Sequence, residues 1–111
     1  MRTFIIVFSA FLLALPGIRS QETMVYSHDQ KTYQKALELD PNHAESYYNL
    51  GIVYQALQDT EQAQACYQKT LELNSEHAKA ANNLGNIWQS KKEPQQAIKC
   101  YQKAVEINPE Y

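Results

Sequence analysis

The segment AESYYNLGIVYQALQDTEQAQACYQKTLELNSEH, residues 44–77, is followed at once by AKAANNLGNIWQSKKEPQQAIKCYQKAVEINPEY, residues 78–111. Over these two 34-residue blocks 14 positions are identical, where unrelated sequences of this composition share about two or three. The matches gather in two places, Asn49-Leu50-Gly51 against Asn83-Leu84-Gly85 and Cys66-Tyr67-Gln68-Lys69 against Cys100-Tyr101-Gln102-Lys103. A partial copy precedes them: Tyr33 to Pro41 stands one period before Tyr67 to Ser75. A fixed period of this size marks a stacked-repeat architecture, which outranks any local reading of the chain.

Each block divides into two helical halves. Tyr33, Ala36, Leu37 and Leu39 follow helical spacing from about Asp29, and Asp40-Pro41 stops that helix, because proline disfavours helical geometry in the residue before it. Asn42 with Glu45 resembles a capping pair for the next helix, about Ala44 to Leu57. On that helix Tyr47, Leu50, Gly51 and Tyr54 share one side, expected to be core. Gly51 is expected to permit close approach of a partner helix near Ala63, which offsets its helix-propensity cost of about 1 kcal/mol. Asp59 with Gln62 opens a helix from about Thr60 to Leu73, with Ala63, Tyr67, Thr70 and Leu71 turned inward. In the second block Ser75 is placed to cap a helix from about Glu76 to Ser90, with Ala81, Leu84, Gly85 and Trp88 inside. Glu93-Pro94 opens the last helix, whose inner stripe is Ala97, Ile98, Tyr101, Ala104 and Val105.

Tyr47-x-x-Leu50-Gly51-x-x-Tyr54 with Ala63-x-x-x-Tyr67, and Leu84-Gly85-x-x-Trp88 with Ala97-x-x-x-Tyr101 and Pro109, resemble the tetratricopeptide repeat pattern. The second block departs from it with Ala81 in place of a bulky aromatic, the first with Ser75 in place of proline. The resemblance implies an all-α helix-turn-helix solenoid that binds other proteins. Its expected layout is a leader at 1–20, a linker at 21–28, the second helix of a partial repeat at 29–43, and full repeats at 44–77 and 78–111.

The resemblance also implies that the face of each first helix opposite the core lines a concave groove. That face carries Glu45, Tyr48, Asn49, Ile52 and Gln55 in the first repeat and Lys79, Asn82, Asn83, Asn86 and Gln89 in the second. Carboxamides donate and accept at once, so Asn49 and Asn83, in matching register, suit the backbone of an extended peptide. A similar asparagine ladder belongs to the repeats of O-linked N-acetylglucosamine transferase, which this sequence resembles at Asn-Leu-Gly. The competing reading leaves these asparagines solvated or capping neighbours. A carboxylate clamp for an acidic chaperone tail is disfavoured: Tyr48 and Asn82 stand where its first lysine is sought, and only Lys79 and Asn86 fit.

Met1 to Ser20 lies outside the repeat pattern. Arg2 precedes an apolar run from Phe4 to Leu15, broken by Pro16-Gly17, which is the layout of a secretory signal peptide. Cleavage is expected after Ser20 or, alternatively, after Gly17. The run is short for a membrane span, which needs about 20 apolar residues. An uncleaved anchor and a helix packing on the repeats are the other two readings. The first places the chain outside the cytoplasm (secreted, periplasmic or lumenal); the others leave it membrane-anchored or cytoplasmic. Cys66 and Cys100 occupy equivalent places on helices about 8–10 Å apart, farther than a disulfide spans, so reduced thiols are expected.

At 111 residues, with a net charge of −2, the chain makes one domain at most and lacks the basic excess typical of nucleic-acid binders. No phosphate loop or acid–base pair is evident, and Ser46, Ser75 and Ser90 fall at positions explained by helix surface or capping. His43 and His77 are expected as exposed residues at helix starts rather than metal ligands. Neither an enzyme nor a cofactor is indicated; the expected partner is a protein or peptide. Because no helix follows Pro109 in the sequence, Ile98, Tyr101 and Val105 are expected to leave an apolar strip uncovered. That strip marks either a piece of a longer protein, such as the targeting repeats of a glycosyltransferase, or a docking surface for a second copy or partner.

Overall fold

The computed structural model describes the backbone of residues 20–111 and the side chains of residues 28–111. The expected leader therefore lies, but for Ser20, outside the described residues. Five helices follow one another: α1 (Ser20–Leu39), α2 (Ala44–Ala56), α3 (Thr60–Leu73), α4 (Ala78–Ser90) and α5 (Pro94–Ile107). Each packs mainly on its neighbours in sequence, α1 on α2 through to α4 on α5. This is the helical solenoid that the 34-residue period demands.

The start of α1 differs from the expected one. Residues 21–28, read as a linker, belong to a helix that begins at Ser20, and no proline or glycine between Ser20 and Leu39 interrupts it. Polarity at 21–28 misled the reading, because a polar stretch continues a helix wherever no breaker stops it.

Two turns repeat in register. After α2 the Asp59 amide donates to the Tyr54 carbonyl at 2.8 Å and the Gln58 amide to that of Gln55 at 3.0 Å; after α4, Glu93 and Lys92 do the same to Trp88 and Gln89 at 2.9 and 3.0 Å. These paired bonds close a Schellman turn, and Gln58 and Lys92 take its left-handed position at φ 63° and 61°. Glycine is usual there; a side chain at such a position costs roughly 1–2 kcal/mol.

The caps differ in part from those the sequence indicates. Asp59 accepts from the Gln62 amide at 3.3 Å, and Pro94 opens α5. The caps of α2 and α4, however, are histidines rather than Asn42 and Ser75. His43 Nδ1 accepts from the Ser46 amide at 3.2 Å and His77 Nδ1 from the Ala80 amide at 3.1 Å. The ring nitrogen reaches the third amide of the helix just as a capping oxygen does.

The buried arc of the first helices is also wider than predicted. Ser46, Leu50, Gly51 and Val53 are buried on α2, and Ala80, Ala81, Leu84, Gly85 and Ile87 on α4, while Tyr47, Tyr54 and Trp88 are only half-buried. A first helix is wedged between two second helices, so one apolar stripe is not enough. Ala80, Leu84 and Ile87 join Ala63 and Tyr67 of the preceding helix in the central cluster. Gly85 faces the helix of its own repeat instead, where a Cβ would lie 2.6 Å from Tyr101 Cε1.

Gly51 has the same role beneath Tyr67, whose Cε1 would lie 2.6 Å from an added Cβ. The nearest atoms of the partner helix are thus those of the Tyr67 ring, one turn on from Ala63. Tyr67 is wholly buried, whereas Tyr101 is half-exposed and has room to move. Overpacking costs about 1–3 kcal/mol, against roughly 1 kcal/mol gained by removing glycine from a helix. Gly51→Ala is accordingly expected to destabilise the fold clearly, and Gly85→Ala to do so much less. Urea denaturation followed by circular dichroism ranks the two.

Candidate functional site

The ten residues expected to line the groove all lie on α2 and α4, in five register pairs: Glu45 with Lys79, Tyr48 with Asn82, Asn49 with Asn83, Ile52 with Asn86 and Gln55 with Gln89. Tyr48, Asn49, Asn82 and Asn83 are half-buried and the other six are exposed, including Ile52 at 40%.

Half of the set is tied to the scaffold. The Tyr67 hydroxyl donates to Gln55 Oε1 and receives Asn83 Nδ2 at 3.4 Å. One repeat on, the Tyr101 hydroxyl sits 2.5 Å from Asn86 Oδ1 and 2.9 Å from Gln89 Oε1. Burial pushes the Tyr67 phenol up to about 12, partly offset by the Asn83 hydrogen bond, so the hydroxyl keeps its proton and donates. Glu45 accepts from His77 at 2.5 Å. Among the described residues Asn49, Asn82 and Lys79 have no side-chain hydrogen bond within the chain, and Ile52 offers only apolar surface.

His77 links the repeats at this site. It is 8% exposed, which corrects the expectation of an exposed residue; His43, at the equivalent place, is exposed as expected. Because Nδ1 accepts from the Ala80 amide, the proton sits on Nε2 and is donated to the Glu45 carboxylate of the preceding repeat. The ring also lies against Tyr48, with centroids 4.5 Å apart. Burial, followed by Tyr111 and Glu45 nearby, raises the Tyr48 phenol, while a hydrogen bond from Asn83 lowers it. Glu45, Tyr48, His77, Lys79 and Tyr111 border a shallow polar cleft at the end of the face where α2 and α4 begin.

A second link runs along the other end of α4. Lys91 Nζ lies 2.6 Å from Glu61 Oε1 and 2.5 Å from Gln64 Oε1, and 5.7 Å from the centre of the Trp88 ring. Neither this latch nor the role of His77 was apparent from the sequence. The only signal for the latter was the recurrence of histidine immediately before each first helix.

Two models of the tetratricopeptide repeat match, one over residues 78–111 and one over 32–65. The chain is a tetratricopeptide repeat protein. Together the matches take in well over half of it; the second begins in α1 and ends in α3, so it spans the junction between the partial repeat and the first full one. Among solved structures, a crystal structure of MamA is 27% identical with a TM-score of 0.70, covering 73% of this chain and 47% of that one. A second MamA crystal structure is 28% identical with a TM-score of 0.65, over 72% and 44% of the two chains. The MamA RS-1 ArsTM double mutant, 24% identical with a TM-score of 0.71 over 77% and 48%, shares the fold. The tetratricopeptide repeats here thus span just under half the length of the solved chains they match. A comparison with curated proteins gives no match.

The repeats form a protein-interaction scaffold. Among the described residues no group of three or more His, Cys, Asp and Glu is placed to hold a metal, and no helix is long and apolar enough to cross a membrane. Cys66 and Cys100 are free thiols. Burial pushes the Cys66 thiol up to about 11, with a smaller contribution from Asp59, which suppresses the reactive thiolate.

Replacing His77 with Ala removes both the α4 cap and the tether to Glu45 of the preceding repeat, whereas His43→Ala removes the α2 cap and its 2.8 Å contact with the Ser46 hydroxyl, both within one helix turn. A cap is worth about 0.5–2 kcal/mol. His77→Ala is expected to reach the top of that range and His43→Ala the bottom, read as the difference in urea midpoints.

Proposed function

We propose that the concave face of α2 and α4 binds an extended peptide of a partner protein. The observation that carries this reading is the contrast within the site. Gln55, Asn83, Asn86 and Gln89 are spent on tyrosine hydroxyls. Asn49 and Asn82, half-buried on the same face, have no side-chain partner among the described residues. A carboxamide in that state offers both a donor and an acceptor to a passing peptide backbone. Ile52, exposed beside them, supplies an apolar contact, and Tyr48 and Lys79 border the cleft at one end. The tyrosine network serves a different purpose: it holds the platform on which these side chains stand.

The test begins with a photo-crosslinking residue at position 52 in the native host, with position 68 on α3 as control. Position 52 is expected to capture a partner that position 68 does not. For the partner segment so found, Asn49→Ala and Asn82→Ala should each weaken binding by about three- to tenfold, the worth of one hydrogen bond, with helicity unchanged. Unaltered affinity in both variants defeats the peptide reading.

We also propose that the scaffold is exported. Support comes from Arg2, the apolar run Phe4 to Leu15 and the break at Pro16-Gly17. Mass spectrometry of the protein from its own host should then find a mature species starting near Gln21. An intact Met1 species in the soluble cytoplasm overturns this.

A further inference from the structure

The face of α5 turned away from α4 is an open apolar groove lined by Ile98, Tyr101 and Val105, with Gln102 and Glu106 at its edges. Ile98 and Val105 are 52% and 45% exposed. The chain contains its own template for what covers such a face. One period earlier the same positions are Gln64, Tyr67 and Leu71 on α3, and there α4 lies over them. Ala80, Leu84 and Ile87 pack on Tyr67, Asn83 donates to its hydroxyl, and Lys91 is bound by Glu61 and Gln64.

On α5 the receptors of that lysine are gone. Glu61 becomes Gln95 and Gln64 becomes Ile98. A helix suited to α5 therefore keeps the small-Leu-aliphatic spacing of α4 but carries an apolar residue in place of Lys91. Among the described residues one helix meets that description. On α2, Ser46, Leu50 and Val53 stand where α4 has Ala80, Leu84 and Ile87, and Leu57 stands where it is followed by Lys91. Within the chain this face of α2 rests on α1, whose corresponding positions are Gln30, Tyr33 and Leu37. By the same register Leu57 falls to Gln30 on α1 and would fall to Ile98 on α5. The polar contacts between α1 and α2 are two long hydrogen bonds, from Gln30 and Gln34 to the Tyr54 hydroxyl, each 3.4 Å.

We propose that α5 binds α2 of a second copy of this chain, displacing α1 there, so that copies join head to tail. Exchange uncovers the face of α1 as it covers that of α5, so what favours it is the difference between the two seams: Ile98 takes the register position of Gln30, an apolar side chain in place of an amide. The contact is heterologous, so it propagates rather than closing into a two-fold dimer. It involves neither face of the proposed peptide site and stands independently of that reading.

The test is sedimentation velocity on the full chain over a concentration series. The average mass is expected to rise with concentration for the native chain. Ile98→Glu and Val105→Glu, both at exposed positions that the fold does not need, should each hold it at the monomer, weakening association by about tenfold or more because a charge is placed in an apolar contact. Leu57→Lys should weaken it too. Combining Ile98→Glu with Leu57→Lys should restore it, since the pair stands in the register of Lys91 and Gln64, with a carboxylate as the acceptor. A native chain that stays monomeric throughout overturns the proposal. So does association untouched by Ile98→Glu, which assigns it to the leader, or failure of the double variant to recover, which seats a different segment on α5.

Discussion

Everything in this fold depends on how closely a tyrosine ring is allowed to approach a helix backbone. Tyr67 lies flat enough on α2 that not even a methyl group fits at Gly51, and Tyr101 repeats the arrangement on Gly85. The separation of the two helices in a repeat is thereby fixed by one side chain and one missing side chain. With the ring in that place its hydroxyl reaches one turn along the first helix, where a side-chain carboxamide accepts its proton without adding charge. Gln55 and Gln89 are the carboxamides at the matching places. Core packing and the composition of this face of the first helices are consequently one design problem, and its glutamines and asparagines are in part an answer to the tyrosines beneath them.

Between repeats the ties are of another kind. The Glu45–His77 bond and the Lys91 cluster fasten α4 to the preceding repeat at its two ends, while Ala80, Leu84 and Ile87 fill the space between. Polar contacts of this sort add specificity of register to an apolar seam that would tolerate sliding. No buried side-chain donor or acceptor is left unpaired among the described residues, so the polar ties are made without an orphaned group.

Much of this was legible in the sequence. The period, the helix order, the starts of α3 and α5 and the exceptional standing of the glycines follow from identities at 34-residue spacing and from breaker residues. What escaped was set by neighbours distant in the chain. Histidine is a poor sequence signal for a cap, and His77 is buried only because Tyr48 and Glu45 of the previous repeat close over it. Ser46 was assigned to helix surface or capping and Val53 to no face, whereas a helix held between two others needs a wider buried arc. The groove residues shared one face in the sequence, but which asparagines are free and which serve a tyrosine is decided by hydroxyl positions that periodicity does not encode. At 21–28 the error ran the other way, as absence of pattern was taken for absence of helix.

Because each helix leans chiefly on the ones before and after it, stability in this molecule is distributed like links rather than like a keystone arch. Opening at α1 gives up one junction and leaves the tightly packed helix pair of each full repeat standing, whereas the seam between α3 and α4 is the slimmest of the junctions, so opening should be cheapest at α1 and at that seam and costliest within each repeat. Native-state amide exchange would resolve that pattern residue by residue. Such a molecule can open in parts short of its global unfolding, and contacts made by short sequence separations let each part reclose quickly. The helix pair of each full repeat is therefore the persistent unit of the chain, while α1 is the segment most readily exchanged.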